Sequence, residues 1–189
     1  RWVCGYDWKL RNVEYRMSTL EVKELSHPAG QVIKIASGKT LDLKSQGSVT
    51  MPTGSVLQVV QATGTTLQEG TSTAYVNYTY CNATITPSST SSKILVMFEG
   101  DTRLWENNAA NAQQRQVIYR DATLVSRETD TRIYDYGASG SQLNTAAVIN
   151  HLDSPSTTSA ITYKLYYKKV AGDAAGFGNA SITLMEIQG

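Results

Sequence analysis

Apolar residues recur at every eighth position between Gly30 and Gln61. Ile33, Leu41, Val49 and Leu57 fall in one column, and Ile35, Leu43, Met51 and Val59 in a second, two residues on. Residues at i and i+2 share one face of an extended segment, so each octad predicts one short strand. Gly30, Gly38, Gly47 and Gly54, beside Ser, Thr and Lys, supply the turns. So short a unit cannot bury its own apolar face and needs cover, either from the other sheet of a domain or from the same segment of other chains. Three copies about a threefold axis would point both columns inward and leave Lys34, Asp42, Thr50 and Gln58 on the other face, forming a β-prism stalk. A plain meander packed under the head of a monomer satisfies the same pattern.

The pattern changes on either side of the octads. Residues 1–16, RWVCGYDWKLRNVEYR, show no octad period and read as an attachment segment or as a leader upstream of a start at Met17. TLEVKEL (19–25) alternates as a further short strand, and His27-Pro28-Ala29-Gly30 turns into the octads. After Gln61, ATGTTLQEGTSTA reads as a polar loop or a frayed edge. Strand-like runs then follow: AYVNYTYCNATITP, KILVMFEGDTRLW, QRQVIYR, ATLVSRE, TAAVINHLD, SAITYKLYYKKV and NASITLMEIQ. They alternate or are β-branched, with Pro, Gly, Ser or Asn clusters between them.

Only ENNAANAQQ (106–114) could form a helical turn, and it lacks an apolar stripe. Asp121-Ala122 sits between QVIY and LVSR as a tight hairpin turn. Ile161, Tyr163, Leu165 and Tyr167 share one face of their strand. SITLMEI carries apolar groups on both faces, which suits the middle of a sheet or an interface. Seven or eight such strands without helices predict an all-β chain, an antiparallel jelly-roll β-sandwich at 55–189 preceded by the short-strand stalk at 17–54.

Composition narrows the function. A length of 189 residues suits one domain of ordinary size with an appendage. The formal charge of +1 and a charged fraction of 17% lack the clustered Lys and Arg that nucleic acid or an anionic membrane requires, so neither nucleic-acid binding nor membrane insertion is expected. No apolar run approaches the ~18 residues of a membrane span. Cys4 and Cys81 are the only cysteines, which makes neither a disulfide framework nor a metal cluster.

The segments GSVLQVVQ, ATITPSSTSSKILVMFEG, YRDATLV, ITYKLYYK and SITLMEI together resemble the C-terminal domain of small bacteriophage tail-fibre and appendage proteins of the marine and cyanobacterial phage type. The likeness covers residues 54–187, and the opening MSTLEVKEL is similar to the start of the same fibre proteins. RDATL stands where an RDGT-like turn is expected. The resemblance implies a homotrimeric virion protein with a jelly-roll head, attached to other virion proteins through its N-terminal region and exposed on the particle. It leaves the host molecule open.

Enzyme chemistry is thinly represented. His27 and His151 stand apart from any nucleophile elbow or HExxH spacing, and no phosphate loop precedes a helix, so no catalytic residue, metal or cofactor is expected. Sugar binding suits a fibre tip better, since aromatic faces stack on pyranose rings while Asn, Asp and Arg bond their hydroxyls. Two segments read as candidate loops for a host surface glycan or protein. DTRLWENN offers Asp101, Arg103, Trp105, Asn107 and Asn108, and ETDTRIYDYGASG offers Asp130, Arg132, Tyr134, Asp135 and Tyr136. Two alternative functions share the head architecture or its chemistry: a secreted trimeric ligand or lectin of the tumour-necrosis-factor type, and a carbohydrate-active enzyme. The sequons at Asn77, Asn82 and Asn179 would favour the first, although two of them fall inside predicted strands.

Overall fold

Strict alternation at Ile161, Tyr163, Leu165 and Tyr167 produces a strand with one face sealed, each of these side chains being no more than 5% exposed. The same logic runs through a computed structural model that describes residues 37–39, 51–107, 111–134 and 140–189. Ten strands follow in chain order: β1 (Val56–Gly64), β2 (Gln68–Gly70), β3 (Val76–Ile85), β4 (Lys93–Glu106), β5 (Asn111–Arg120), β6 (Thr123–Leu124), β7 (Thr129–Tyr134), β8 (Ser141–Asp153), β9 (Ile161–Ala171) and β10 (Ala174–Ile187).

The strands form two five-stranded antiparallel sheets. The first runs β1-β10-β4-β8 with β2 also on β10, and the second runs β3-β9-β5-β6 with β7 also on β5. β1 and β2 pair with successive parts of β10, and β6 and β7 with successive parts of β5. Counting each couple as one interrupted strand leaves eight strands that swap sheets in the order of a jelly roll, so the sandwich is jelly-roll-like. Thr50–Gly189 forms one compact unit.

Between the sheets, Phe177 of β10 is the centre of an aromatic cluster. Its ring lies 5.5 Å from Phe98 at a right angle and 5.7 Å from Tyr167, the edge-to-face geometry that aromatic quadrupoles favour. Ile94, Val96, Ile118, Ile182 and Leu184 complete this core, each worth ~1.5–3 kcal/mol on burial. A smaller cluster of Leu104, Ala112 and Ala175 closes one end. Thr102, Gln114 and Gln116 are also buried, and along β4 and β5 they fall between the two clusters.

Several segments depart from the sequence pattern. GSVLQVVQ, the fourth octad, is β1 of the sandwich, and a register shift between Val56 and Gln58 turns Val60 and Ala62 toward the core. Val59 is left 55% exposed on the outer face. The expected loop after Gln61 contains the end of β1 and the short strand β2. ENNAANAQQ is not a helical turn where it is described: Glu106 ends β4, and residues 111–114 begin β5 with their Gln side chains buried. ATLVSRE is a strand only at Thr123–Leu124, because Ser126 Oγ accepts the Ile118 amide at 2.8 Å in place of a ladder carbonyl.

The Asp121-Ala122 hairpin forms as expected, with Arg120 opposite Thr123. Asp121 takes a φ of +51°, which Asp tolerates, and its carboxylate accepts from the Thr162 amide at 3.0 Å. Gly38 sits in a turn with φ +73°, at one of the predicted octad boundaries. Ile33, Ile35, Leu41, Leu43 and Val49 lie outside the described residues. Met51 precedes β1 and is 41% exposed.

Candidate functional site

The outer faces of the two sheets differ in chemistry. On the second sheet, charges satisfy one another. Arg115 pairs with Glu128 at 3.3 Å and Asp130 at 3.0 Å, and Lys168 pairs with Glu128 at 3.4 Å while lying 4.3 Å from the Tyr75 ring centre. Tyr75 donates its hydroxyl to Glu128. Burial and the Glu128 carboxylate raise the Tyr75 phenol. The Glu128 carboxyl in turn is held below the usual range by the Tyr75 hydrogen bond and, despite some desolvation, by Lys168 and Arg115. Tyr119 and Tyr166 stack nearby, with centroids 4.3 Å apart.

The segment read as a second binding loop belongs to this face. Thr129–Tyr134 is edge strand β7, with Arg132 and Tyr134 exposed on alternate positions. Arg132 folds over the Tyr134 ring at 5.5 Å and donates to its hydroxyl. Asp135 and Tyr136 lie outside the described residues, as does Asn108.

On the first sheet, antiparallel register aligns an apolar row. Val59 pairs with Met185, Met185 with Leu95, and Leu95 with Leu152, so one line of side chains crosses β1, β10, β4 and β8. Val59 and Leu152, at its ends, are 55% and 52% exposed. Val148, four residues before Leu152 on β8, is 59% exposed on the same face.

Farther along, the face becomes polar. The outward residues of β4 read Leu95, Met97, Glu99, Asp101, Arg103 and Trp105, every second position of one strand. DTRLW is therefore strand rather than loop, and Asp101, Arg103 and Trp105 project from one face because the period is two. Asn107 follows the strand, its amide donating to the Asp173 carboxylate at 2.5 Å. The sequence's two candidate segments thus lie on opposite outer faces of the sandwich and do not form one site.

A β-bulge between Phe177 and Ala180 breaks the β10–β4 ladder and brings Asn179 beside Asp101, to which its amide donates at 3.0 Å. Bulges re-aim side chains in this way. Gly100, Ala146 and Ala180 floor a recess of about 310 Å³ walled by Thr63, Glu99, Asp101, Asn179 and Ser181. It continues into a second recess of about 260 Å³ bounded by Leu67, Asp101, Arg103, Asn144 and Asn179. Ser181 Oγ donates to Glu99 at 3.1 Å, and Arg103 pairs with Glu69 of β2 at 3.0 Å. Glu69, Asn144 and Ser181 were not flagged by sequence, and Asn179 only as a sequon. For Asn179 and Ser181 a further signal would have been the Gly178-Asn179 interruption of an alternating strand.

The sequons divide by exposure. Asn77 and Asn82 each keep a side-chain oxygen buried, whereas Asn179 is exposed at the groove.

No family model and no curated protein matches the chain. Solved structures with a similar sandwich include VP2 of infectious bursal disease virus in a subviral particle, at 16% identity and TM-score 0.42, covering 80% of this chain and 37% of that one. The T=1 particles derived from the same virus match at 14% identity and TM-score 0.44, over 80% and 36%. The Eiger tumour necrosis factor of S. frugiperda matches at 8% identity and TM-score 0.40, over 68% and 91%. The matched region spans little more than a third of the length of the bursal-virus proteins.

Proposed function

We propose that this chain is a structural and adhesion protein of a virion, a homotrimeric phage fibre or surface appendage whose jelly-roll head meets the bacterial surface. The observation that carries the assembly is the row Val59–Met185–Leu95–Leu152, an apolar line crossing a whole sheet on its outer face. The opposite sheet covers its own outer face with paired charges, so the two faces ask for different surroundings. A second copy of the chain is the cover that a homo-oligomer offers.

Magnitudes set how much the row can do. Val59 and Leu152, about half exposed, gain ~1 kcal/mol each on full burial and the partly buried Leu95 and Met185 gain less, against ~4–15 kcal/mol of lost freedom on association. The row is therefore the nucleus of an interface. In the proposed trimer the octad columns, Ile33 with Ile35, Leu41 with Leu43 and Val49 with Met51, supply the rest about the threefold axis. The virion setting rests on the resemblance to phage fibre proteins.

The test is a charge placed in the row. Leu152→Asp should convert a three-chain particle to single chains while leaving the far-ultraviolet spectrum of the sandwich intact, because an unpaired buried carboxylate is strongly disfavoured. A variant with unchanged native mass would remove the row from the interface. For the virion setting, antibody raised against residues 55–189 should label intact particles from the producing culture, and particles left unlabelled would count against it.

A further inference from the structure

We infer that the groove beside the β10 bulge is a saccharide site that takes neutral sugars and rejects anionic ones. The inference rests on the adhesion reading above and names the ligand class of that head. The groove occupies the half of the first sheet's outer face from Glu99 onward, whereas the apolar row crosses β4 at Leu95, four residues earlier.

Its shape comes from backbone and small residues. Gly100, Ala146 and Ala180 present nothing beyond a Cβ, so the floor is wide and shallow between polar walls. That form admits a flat ring more readily than an extended side chain. Asp101 and Asn179 are exposed and hold each other at 3.0 Å, which fixes both before a ligand arrives. Held this way, the second Asp101 oxygen and the Asn179 carbonyl are acceptors for a pair of adjacent hydroxyls. Asn144 and Thr65 add polar groups across the second recess.

Trp105 lies on the same face of β4, four residues beyond Asp101 or ~13 Å at strand rise, and is 38% exposed. Its ring offers the electron-rich face on which sugar C–H groups stack. Preordered acceptors at one end and an aromatic platform at the other fit a ligand of more than one ring.

Charge decides the selectivity. Among the described residues, three carboxylates, Glu69, Glu99 and Asp101, face or flank the groove, with Arg103 as the one guanidinium. Arg103 is already engaged by Glu69 at 3.0 Å. A uronate or sialate would meet a negative excess among the described residues, whereas a neutral hexose meets acceptors suited to its hydroxyls.

The experiment is binding of the full chain to an array of neutral gluco-, galacto- and manno-oligosaccharides, with uronate and sialylated oligosaccharides alongside. Wild type should retain members of the neutral set and none of the anionic set. Asp101→Ala should weaken that binding by about tenfold or more, the scale of a lost hydrogen bond to a charged group, and Trp105→Ala should weaken it as well. Both variants should melt as wild type does. No neutral oligosaccharide retained, anionic ones retained equally, or unchanged binding in Asp101→Ala would overturn the site. Native mass, measured on the same samples, separates the two readings. Absent binding at three-chain mass counts against the groove alone, and binding by single chains counts against the trimer alone.

Discussion

Arg120 of β5 donates through Nη1 to Asp153 Oδ2 of β8 at 2.7 Å, an ion pair that ties one sheet to the other at the end of the sandwich. Tyr163 of β9 donates to the same oxygen at 2.7 Å. Burial and then the Asp153 hydrogen bond raise the Tyr163 phenol well above its ordinary value, so it remains a donor at any physiological pH. Removing Arg120 leaves Asp153, a carboxylate only 10% exposed, without its cation. Arg120→Ala should cost ~3 kcal/mol and Tyr163→Phe about 1 kcal/mol, read from urea midpoints. The double variant should fall short of the sum, because both donors share one acceptor.

Glu186 has no solvent exposure. Burial pushes its carboxyl up, but the Ser88 hydroxyl at 2.6 Å, Gln58 Nε2 at 2.6 Å and the Ser88 amide at 2.7 Å outweigh it, and the folded-state value lies below the ordinary range. A depressed carboxyl contributes stability above its unfolded value of about 4.3, and that contribution fades as pH falls through the folded value. Glu186→Gln should lower stability at pH 7 by ~1–3 kcal/mol and flatten the loss of stability below about pH 4.3. Urea midpoints at several pH values test this; parallel curves for the two proteins would count against it.

Cys81 is fully buried, and burial pushes its thiol up to about 11. The thiolate is the reactive form, so Cys81 should resist alkylation at pH 8 in the native protein and react on unfolding. Peptide mapping distinguishes it from Cys4.

Gly172, in the turn from β9 to β10, has φ +85°, and a Cβ there would lie 2.6 Å from the Ala112 Cβ and 3.0 Å from the Trp105 carbonyl oxygen. Gly172→Ala should destabilise by ~2 kcal/mol or more, from the left-handed backbone alone about 1–2 kcal/mol and the remainder from the clash. Adding Ala112→Gly should restore only the second part.

Where inward positions are uniformly apolar, the fold was legible: Ile161, Tyr163, Leu165 and Tyr167 gave β9 its face, and the two-sided SITLMEI marked the central strand β10. β7 was missed because its inward residues Thr129, Thr131 and Ile133 include a single apolar side chain, so Arg132 and Tyr134 read as a loop. The burial of Glu186 was not legible, since one letter cannot reveal the hydroxyl and amides that fold around it. Of the groove, Asp101, Arg103 and Trp105 were legible because an exposed aromatic beside charges is conspicuous. Asn179 and Ser181 were not, because they reach Asp101 and Glu99 only through the register of strands some eighty residues apart.

Light scattering on the purified wild-type chain, whose mass is 20.6 kDa, decides whether three chains assemble. A native mass near three chains is expected, with the row Val59–Met185–Leu95–Leu152 covered by a neighbour. A mass near one chain would contradict it, and a mass near two would keep an interface but refute threefold assembly.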